Sequence, residues 1–207
     1  MHEDLRKIFD ALRNDVTDLH LRWEIFTQLF CGPRENVDLM NESGSNVFYL
    51  LQALIVDDVA LRLSKYTDPA AQGAFENLSV RRLLDEVAKS TRPMAKVEPD
   101  RLLATLDGAV AKFRTWRNKR IAHADLAHAL KIDGATLPGI TVGEINEALA
   151  ALRELLNAIE LHFDSSQTAY EMVIVDYGSD GNKLVSVLKK AHGGAASNNA
   201  LERECGQ

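Results

Sequence analysis

Between positions 5 and 30 the apolar residues Leu5, Phe9, Leu12, Val16, Leu19, Trp23, Phe26 and Phe30 return at spacings of three and four. That interval brings side chains back to one face of an α-helix. A long first helix is expected, stopped by Gly32-Pro33. A short polar segment through Ser43-Gly44 leads into a second helix from about Val47 to Thr67, ended by Asp68-Pro69, because the residue before a proline is pushed out of the α region. Its middle is apolar at Leu50, Leu51, Leu54, Ile55, Val59 and Leu61, interrupted by Asp57 and Asp58. The two aspartates read as a solvated face, with Asp58 pairing Arg62 one turn on.

A shorter helix follows Ser79, with Val80, Leu83, Leu84 and Val87 on one side and Pro93 closing it. Another long helix begins near Pro99-Asp100 and runs to about Ala124, its apolar face made of Leu102, Leu106, Ala109, Val110, Phe113 and Trp116. Thr141 and Glu144 have the spacing of a capping box for the next helix. In that helix Val142, Ile145, Leu149, Leu152, Leu156, Ile159 and Phe163 form a seam suited to packing on another helix, internal or from a second subunit. Met172-Val173-Ile174-Val175 reads as one short strand or as buried helix, since periodicity does not decide so short a run. Ser179 is positioned to cap a final helix to Ala191. The expectation is an all-α bundle of about five main helices. Residues 1–163 form the bundle, 164–192 a C-terminal extension with a short strand or helix before its helix, and 193–207 a polar, mobile tail.

Composition narrows this picture without changing it. With 207 residues, 46% hydrophobic and 26% charged, the chain is an ordinary globular one. No apolar run approaches the roughly 18 residues of a membrane span, and the acidic first residues lack a signal-peptide core, so a cytoplasmic protein is expected. Cys31 and Cys205 have neither zinc-ligand nor disulfide-framework spacing. A net charge of -6 disfavours a protein that coats nucleic acid by bulk attraction. Yet Lys112, Arg114, Arg117, Lys119 and Arg120 follow one another with no acid among them, which suits a local phosphate site.

Within that basic stretch, Arg117-Asn118-Lys119-Arg120-Ile121-Ala122-His123 joins three complementary chemistries. A guanidinium grips phosphate through a charged fork, a carboxamide orients a hydroxyl or phosphate oxygen, and an imidazole moves a proton near neutral pH. Arg114, Lys119 and Arg120 are the accompanying substrate-binding cations. On an ideal helix, positions six apart are turned by about 120°, so Arg117 and His123 do not share a face. Either the helix departs from α geometry between them, or a second copy completes the site. Arg117 also lies beside the apolar stripe, where a charge needs a partner such as Asp58 or Asp125, or a bound anion. A second Arg-Asn pair, Arg13-Asn14, precedes His20, but Asp15 and Asp18 lie inside that segment and would repel phosphate. His123, Asp125 and His128 match no standard metal-ligand spacing, so no metal or cofactor is expected.

Arg-Asn followed by Ala-His near the end of a late helix resembles the HEPN superfamily, whose signature is an arginine, a polar residue and a histidine four to six positions on. Arg13-Asn14-Asp15 through Leu21-Arg22-Trp23, Asn41-Glu42-Ser43, Thr67-Asp68-Pro69 and Asn77-Leu78-Ser79 before Arg81-Arg82-Leu83 resemble its AbiU-like subgroup, linked to phage abortive infection. The resemblance implies a helical homodimer acting as a metal-independent endoribonuclease in phage defence or as a toxin, with a neutralising antitoxin as a further partner. It assigns phosphate and transition-state charge to Arg117, positioning to Asn118 and general acid or base work to His123. The reaction implied is attack of an RNA 2′-hydroxyl on the adjacent phosphate. Some HEPN toxins carry a tyrosine two residues after the histidine as the target of a modifying partner; Asp125 stands there in this chain. Two other readings share these features: a HEPN-like module that binds RNA or nucleotide without cutting it, and a structural dimeric adaptor.

Overall fold

The computed structural model describes residues 1–92, 94–95, 97–121, 139–173 and 178–204, with backbone alone for 97 and 194–204. It is all-α. Helix α1 spans Glu3–Phe30, α2 Arg34–Lys65, α3 Val80–Lys89, α4 Val97–Trp116, α5 Val142–Asp164 and α6 Gly181–Glu204. Two compact units result, one of Met1–His20 with Asp57–Met172, the other of Leu21–Val56 with Val173–Gln207. None of the helices among the described residues is long and apolar enough to cross a membrane.

In the first unit, the three-four spacing of Leu5, Phe9, Leu12, Val16 and Leu19 becomes a wholly buried stripe. Val59 and Leu63 of α2, Val80 and Leu83 of α3, and Leu102, Leu106, Val110 and Phe113 of α4 join the same core. Helix α5 packs against α4, so the partner of its seam is internal. Its buried face is wider than the seam, because Ala148 and Leu155 are buried too while Val142 is exposed. That width belongs to a globular core helix rather than to a coiled coil. The expected capping box forms, with Thr141 and Glu144 satisfying each other's backbone amides, and Ser79, which precedes α3, caps it by accepting the Arg82 amide. Glu144 also takes Lys112 of α4 at 2.5 Å, and these bonds hold its carboxyl down at about 2.

Three features differ from the sequence reading. Positions 34–43, read as a polar connection, are helical, because Leu39 and Met40 supply a buried face; the backbone leaves helical geometry only at Gly44. Between α2 and α3 lies an unforeseen hairpin, β1 (Ala71–Gln72) against antiparallel β2 (Phe75–Glu76), in register Ala71 to Glu76. Gly73 turns it at φ +63°, the left-handed conformation that a two-residue hairpin loop requires. Met172 and Val173 form no strand, and positions 174 and 175 lie outside the described residues.

In the second unit Leu29, Met40 and Val185 centre a smaller core with Ile25, Phe30, Phe48 and Leu188 around it. Helix α6 is capped by Asp180, not Ser179: the Asp180 carboxylate accepts the Lys183 amide at 2.8 Å. Gly181 is there because of close approach, since a Cβ would meet the Gln28 Cβ at 3.0 Å. Leu50 and Leu54, from the apolar middle of the second helix, are 56% and 57% exposed, and Val47 is 67% exposed.

Candidate functional site

Helix α4 presents the Arg-Asn segment because its four buried anchors, Leu102, Leu106, Val110 and Phe113, fix its rotation in the core. At Arg117 the α-helix gives way to a π-helical turn, Arg117–Ile121. Such turns are uncommon and concentrate at functional sites, because the wider coil re-aims the side chains it carries. The α geometry thus stops where the six-residue stagger made a single-helix site awkward. His123, Asp125 and His128 lie outside the described residues.

Both arginines on this turn are tied to distant carboxylates. Arg117 donates Nη1 to Asp68 Oδ1 at 2.9 Å and Oδ2 at 3.0 Å, and Nε to Asn118 Oδ1 at 3.2 Å. Among the described residues its Nη2 has no partner, which leaves one edge of the fork for an anion. The pair is partly accessible, with side chains 20% and 25% exposed. Arg120 donates Nε to Asp57 Oδ1 at 3.2 Å and lies 5.1 Å over the Trp116 ring. The Trp116 indole donates to the same Asp57 oxygen at 2.8 Å. Arg114 is held by the Asp107 carboxylate and backbone carbonyl, both at 3.0 Å. Lys119 is half-buried on the π turn.

The stretch that looks purely basic in sequence is therefore balanced in space. Glu144, Asp107, Asp68 and Asp57 serve Lys112, Arg114, Arg117 and Arg120 respectively. The partner proposed from spacing for Arg117 was Asp58 or Asp125; it is Asp68. Asp58 pairs Arg62, as the i,i+4 spacing suggested, whereas Asp57 is no solvated bystander.

Asp68 is held where Arg117 needs it by a braced loop after α2. The Val80 amide donates to Tyr66 O at 2.8 Å and the Asn77 amide to Ala70 O at 2.9 Å. The Asn77 side chain donates to Pro69 O at 2.8 Å, and Arg81 Nε to Thr67 O at 3.1 Å. The hairpin brings the chain back so that Asn77 reaches this loop. Beside it opens a cavity of about 520 Å³ walled by Asp15, Asp58, Arg62, Tyr66 and Asp68. Arg62 bridges Asp15 at 3.0 Å and Asp18 at 3.1 Å. Tyr66 donates to Asp15 at 2.7 Å, and burial together with that bond pushes its phenol well above the usual range, so it remains a neutral donor.

The other Arg-Asn pair sits in regular α-helix. Arg13 is bound to Asp10 at 3.0 Å and approaches Glu160 at 3.8 Å. His20 is 5% exposed and stacks on Tyr170 with ring centroids 6.1 Å apart. Burial, reinforced by the Arg153 charge, lowers its pKa to about 4. An imidazole kept neutral inside the core cannot serve solvent-borne RNA.

Sequence reasoning missed Asp57 and Asp68. A signal was present: Arg117 beside an apolar stripe demands a carboxylate, and Asp68 stands unassigned at the end of α2.

A helical bundle with an Arg-Asn segment closing a late helix has the architecture of HEPN domains. The profile of the HEPN AbiU2 family matches residues 2–184, and the chain belongs to that family. Comparison with curated proteins gives no match. Comparison with solved structures gives none either.

Proposed function

We propose that this protein is a metal-independent endoribonuclease of the HEPN type, acting in the cytoplasm in phage defence or as a toxin. The observation that carries the reading is Arg117 at the start of the π turn, gripped on one side by Asp68 and open at Nη2. The RNA 2′-hydroxyl attacks the adjacent phosphorus in line, the bond to the 5′-oxygen breaks, and a 2′,3′-cyclic phosphate and a 5′-hydroxyl result. Arg117 takes up the charge that grows on the phosphoryl oxygens. Asn118 positions the reacting group, and His123 removes the 2′-hydroxyl proton or protonates the leaving oxygen. Arg114, Lys119 and Arg120 guide the strand. DNA, which lacks the hydroxyl, survives.

A homodimer is part of the reading. The exposed stripe Val47, Leu50 and Leu54, at spacings of three and four on α2, is an apolar face suited to a second copy. A rival deserves one specific test, because the Arg117–Asp68 pair is equally what a structural adaptor would use. Purified protein is incubated with labelled RNA in EDTA. Cleavage lost in Arg117→Ala and His123→Ala but kept in His20→Ala supports the enzyme. Intact RNA with wild-type protein across varied sequences would sink it in favour of binding or scaffolding.

A further inference from the structure

The end of α4 carries a second arrangement besides the Arg117–Asp68 pair. Asp57 of α2 accepts the Trp116 indole N–H at 2.8 Å. The same carboxylate takes Arg120 on both of its oxygens, Nε to Oδ1 at 3.2 Å and Nη2 to Oδ2 at 3.4 Å. The Arg120 guanidinium in turn lies 5.1 Å over the Trp116 ring. One carboxylate therefore fixes an indole and a guanidinium against each other, so that two flat groups are stacked before anything binds.

The Trp116 bond already ties the helix end to α2, so bracing does not require Arg120. Nor is Arg120 a bare phosphate grip, because Asp57 balances its charge and an incoming phosphate would compete with a tethered carboxylate. What remains on offer is its plane. A guanidinium stacks on flat π systems as well as pairing with anions. The indole covers one face, and 48% of the Arg120 side chain stays open to solvent.

We infer that Trp116 and Arg120 form a stacking platform, held flat by Asp57, on which an unpaired base of a single-stranded nucleic acid adds the third layer. The inference rests on the nuclease reading for the strand being RNA, but not for the stacking, which ignores the sugar. Every base has a π face, so the platform tolerates sequence and takes a DNA strand that the protein does not cut. Bases in a duplex are stacked on one another and do not reach it. The base it holds is not the one at the cut. Arg120 meets α2 at Asp57, whereas Arg117 meets the chain at Asp68, beyond the helix end at Lys65. The rise from Asp57 to Lys65 alone is about 12 Å, farther than neighbouring phosphates lie.

Short 2′-O-methyl oligonucleotides test this, since they present bases and phosphates without a free 2′-hydroxyl to attack. Binding is measured by fluorescence anisotropy for one such strand and for the same backbone without bases. Wild-type protein should hold the complete strand roughly tenfold more tightly than the baseless one, the scale of one stacked base. Most of that preference should vanish in Arg120→Ala and in Arg120→Lys alike, both replacements lying outside the core. A preference that persists in Arg120→Ala, or that lysine restores, overturns the inference, and so does a wild type that binds both strands equally or neither. RNA cutting that depends on Arg117, by a wild type indifferent to the bases, leaves the nuclease standing and removes the platform. A base preference carried by Arg120 in a protein that cuts no RNA upholds the platform and removes the nuclease.

Discussion

Two segments of this chain carry the same opening, Arg-Asn ahead of a histidine, and the fold treats them in opposite ways. In α1 the backbone stays α-helical, Arg13 is used by its helix neighbour Asp10 and by Glu160, and His20 is sunk against Tyr170. At the end of α4 the backbone widens into a π turn, and Arg117 is held by Asp68 from a braced loop with one edge of its fork left open. The residue types are nearly identical. What separates them is whether burial consumes the functional groups or a rigid surround presents them, which agrees with functional sites being built on supported side chains rather than on composition.

The largest effect that could break this contrast lies in cleavage. Arg117→Ala should reduce the rate of RNA cutting by roughly 10²–10³-fold, the scale of losing one transition-state donor, while Arg13→Ala leaves it near wild type. Arg117→Lys should recover little, because an ammonium cannot hold Asp68 and a phosphate with one planar fork. Equal losses at positions 13 and 117 would erase the distinction.

Acid should reveal the buried histidine next. His20 has a folded pKa of about 4 against an ordinary 6.5, so the unfolded chain binds the proton first as pH falls. The stability from keeping it neutral is fully present above about pH 6.5 and is lost as pH drops toward 4, on the order of 3 kcal/mol at most. Denaturant melts at pH 7 and pH 4.5 measure this, and His20→Phe should flatten the dependence. A His20 ring that titrates near 6.5 by NMR would mean that the α1 segment is open after all.

Smaller is the effect of Asp68→Asn, which keeps the shape but removes the charge that orients Arg117. A drop of about tenfold in kcat with KM unchanged or lower is expected from a misplaced group. Unchanged kcat would show that Asp68 only fills space. Smallest is Thr141→Ala, which removes the α5 cap and should cost about 1 kcal/mol in a denaturant melt without touching the contrast between the segments.

Much of the fold could be read from spacing. Leu5 to Leu19, the helix that follows Ser79 and the Thr141–Glu144 box are local patterns with local causes, and each holds. The acids inside the Arg13 segment were also legible, and in the fold Asp15 and Asp18 both pair with Arg62. Other features depend on chain that is far away in sequence. Asp57 receives Trp116 and Arg120 across 59 and 63 positions, and Asp68 receives Arg117 across 49, so no periodicity could pair them. The helix at 34–43 buries too few residues to stand out from its polar neighbours, and strands of two residues leave no alternation to detect. A π turn changes the hydrogen-bond register without changing the side-chain pattern.

The carboxylates paired with Lys112, Arg114, Arg117 and Arg120 also make the protein its own counterion. A strand that met five bare cations would release about 3.5 bound ions, giving that slope of affinity against salt on a logarithmic scale. Here an incoming phosphate displaces tethered carboxylates that stay on the protein instead of ions that escape to solution. Little mixing entropy is gained, so binding should be weaker in dilute salt yet fade more slowly as salt rises, and the chain should ignore the bulk of cellular polyanions unless something more than charge is offered.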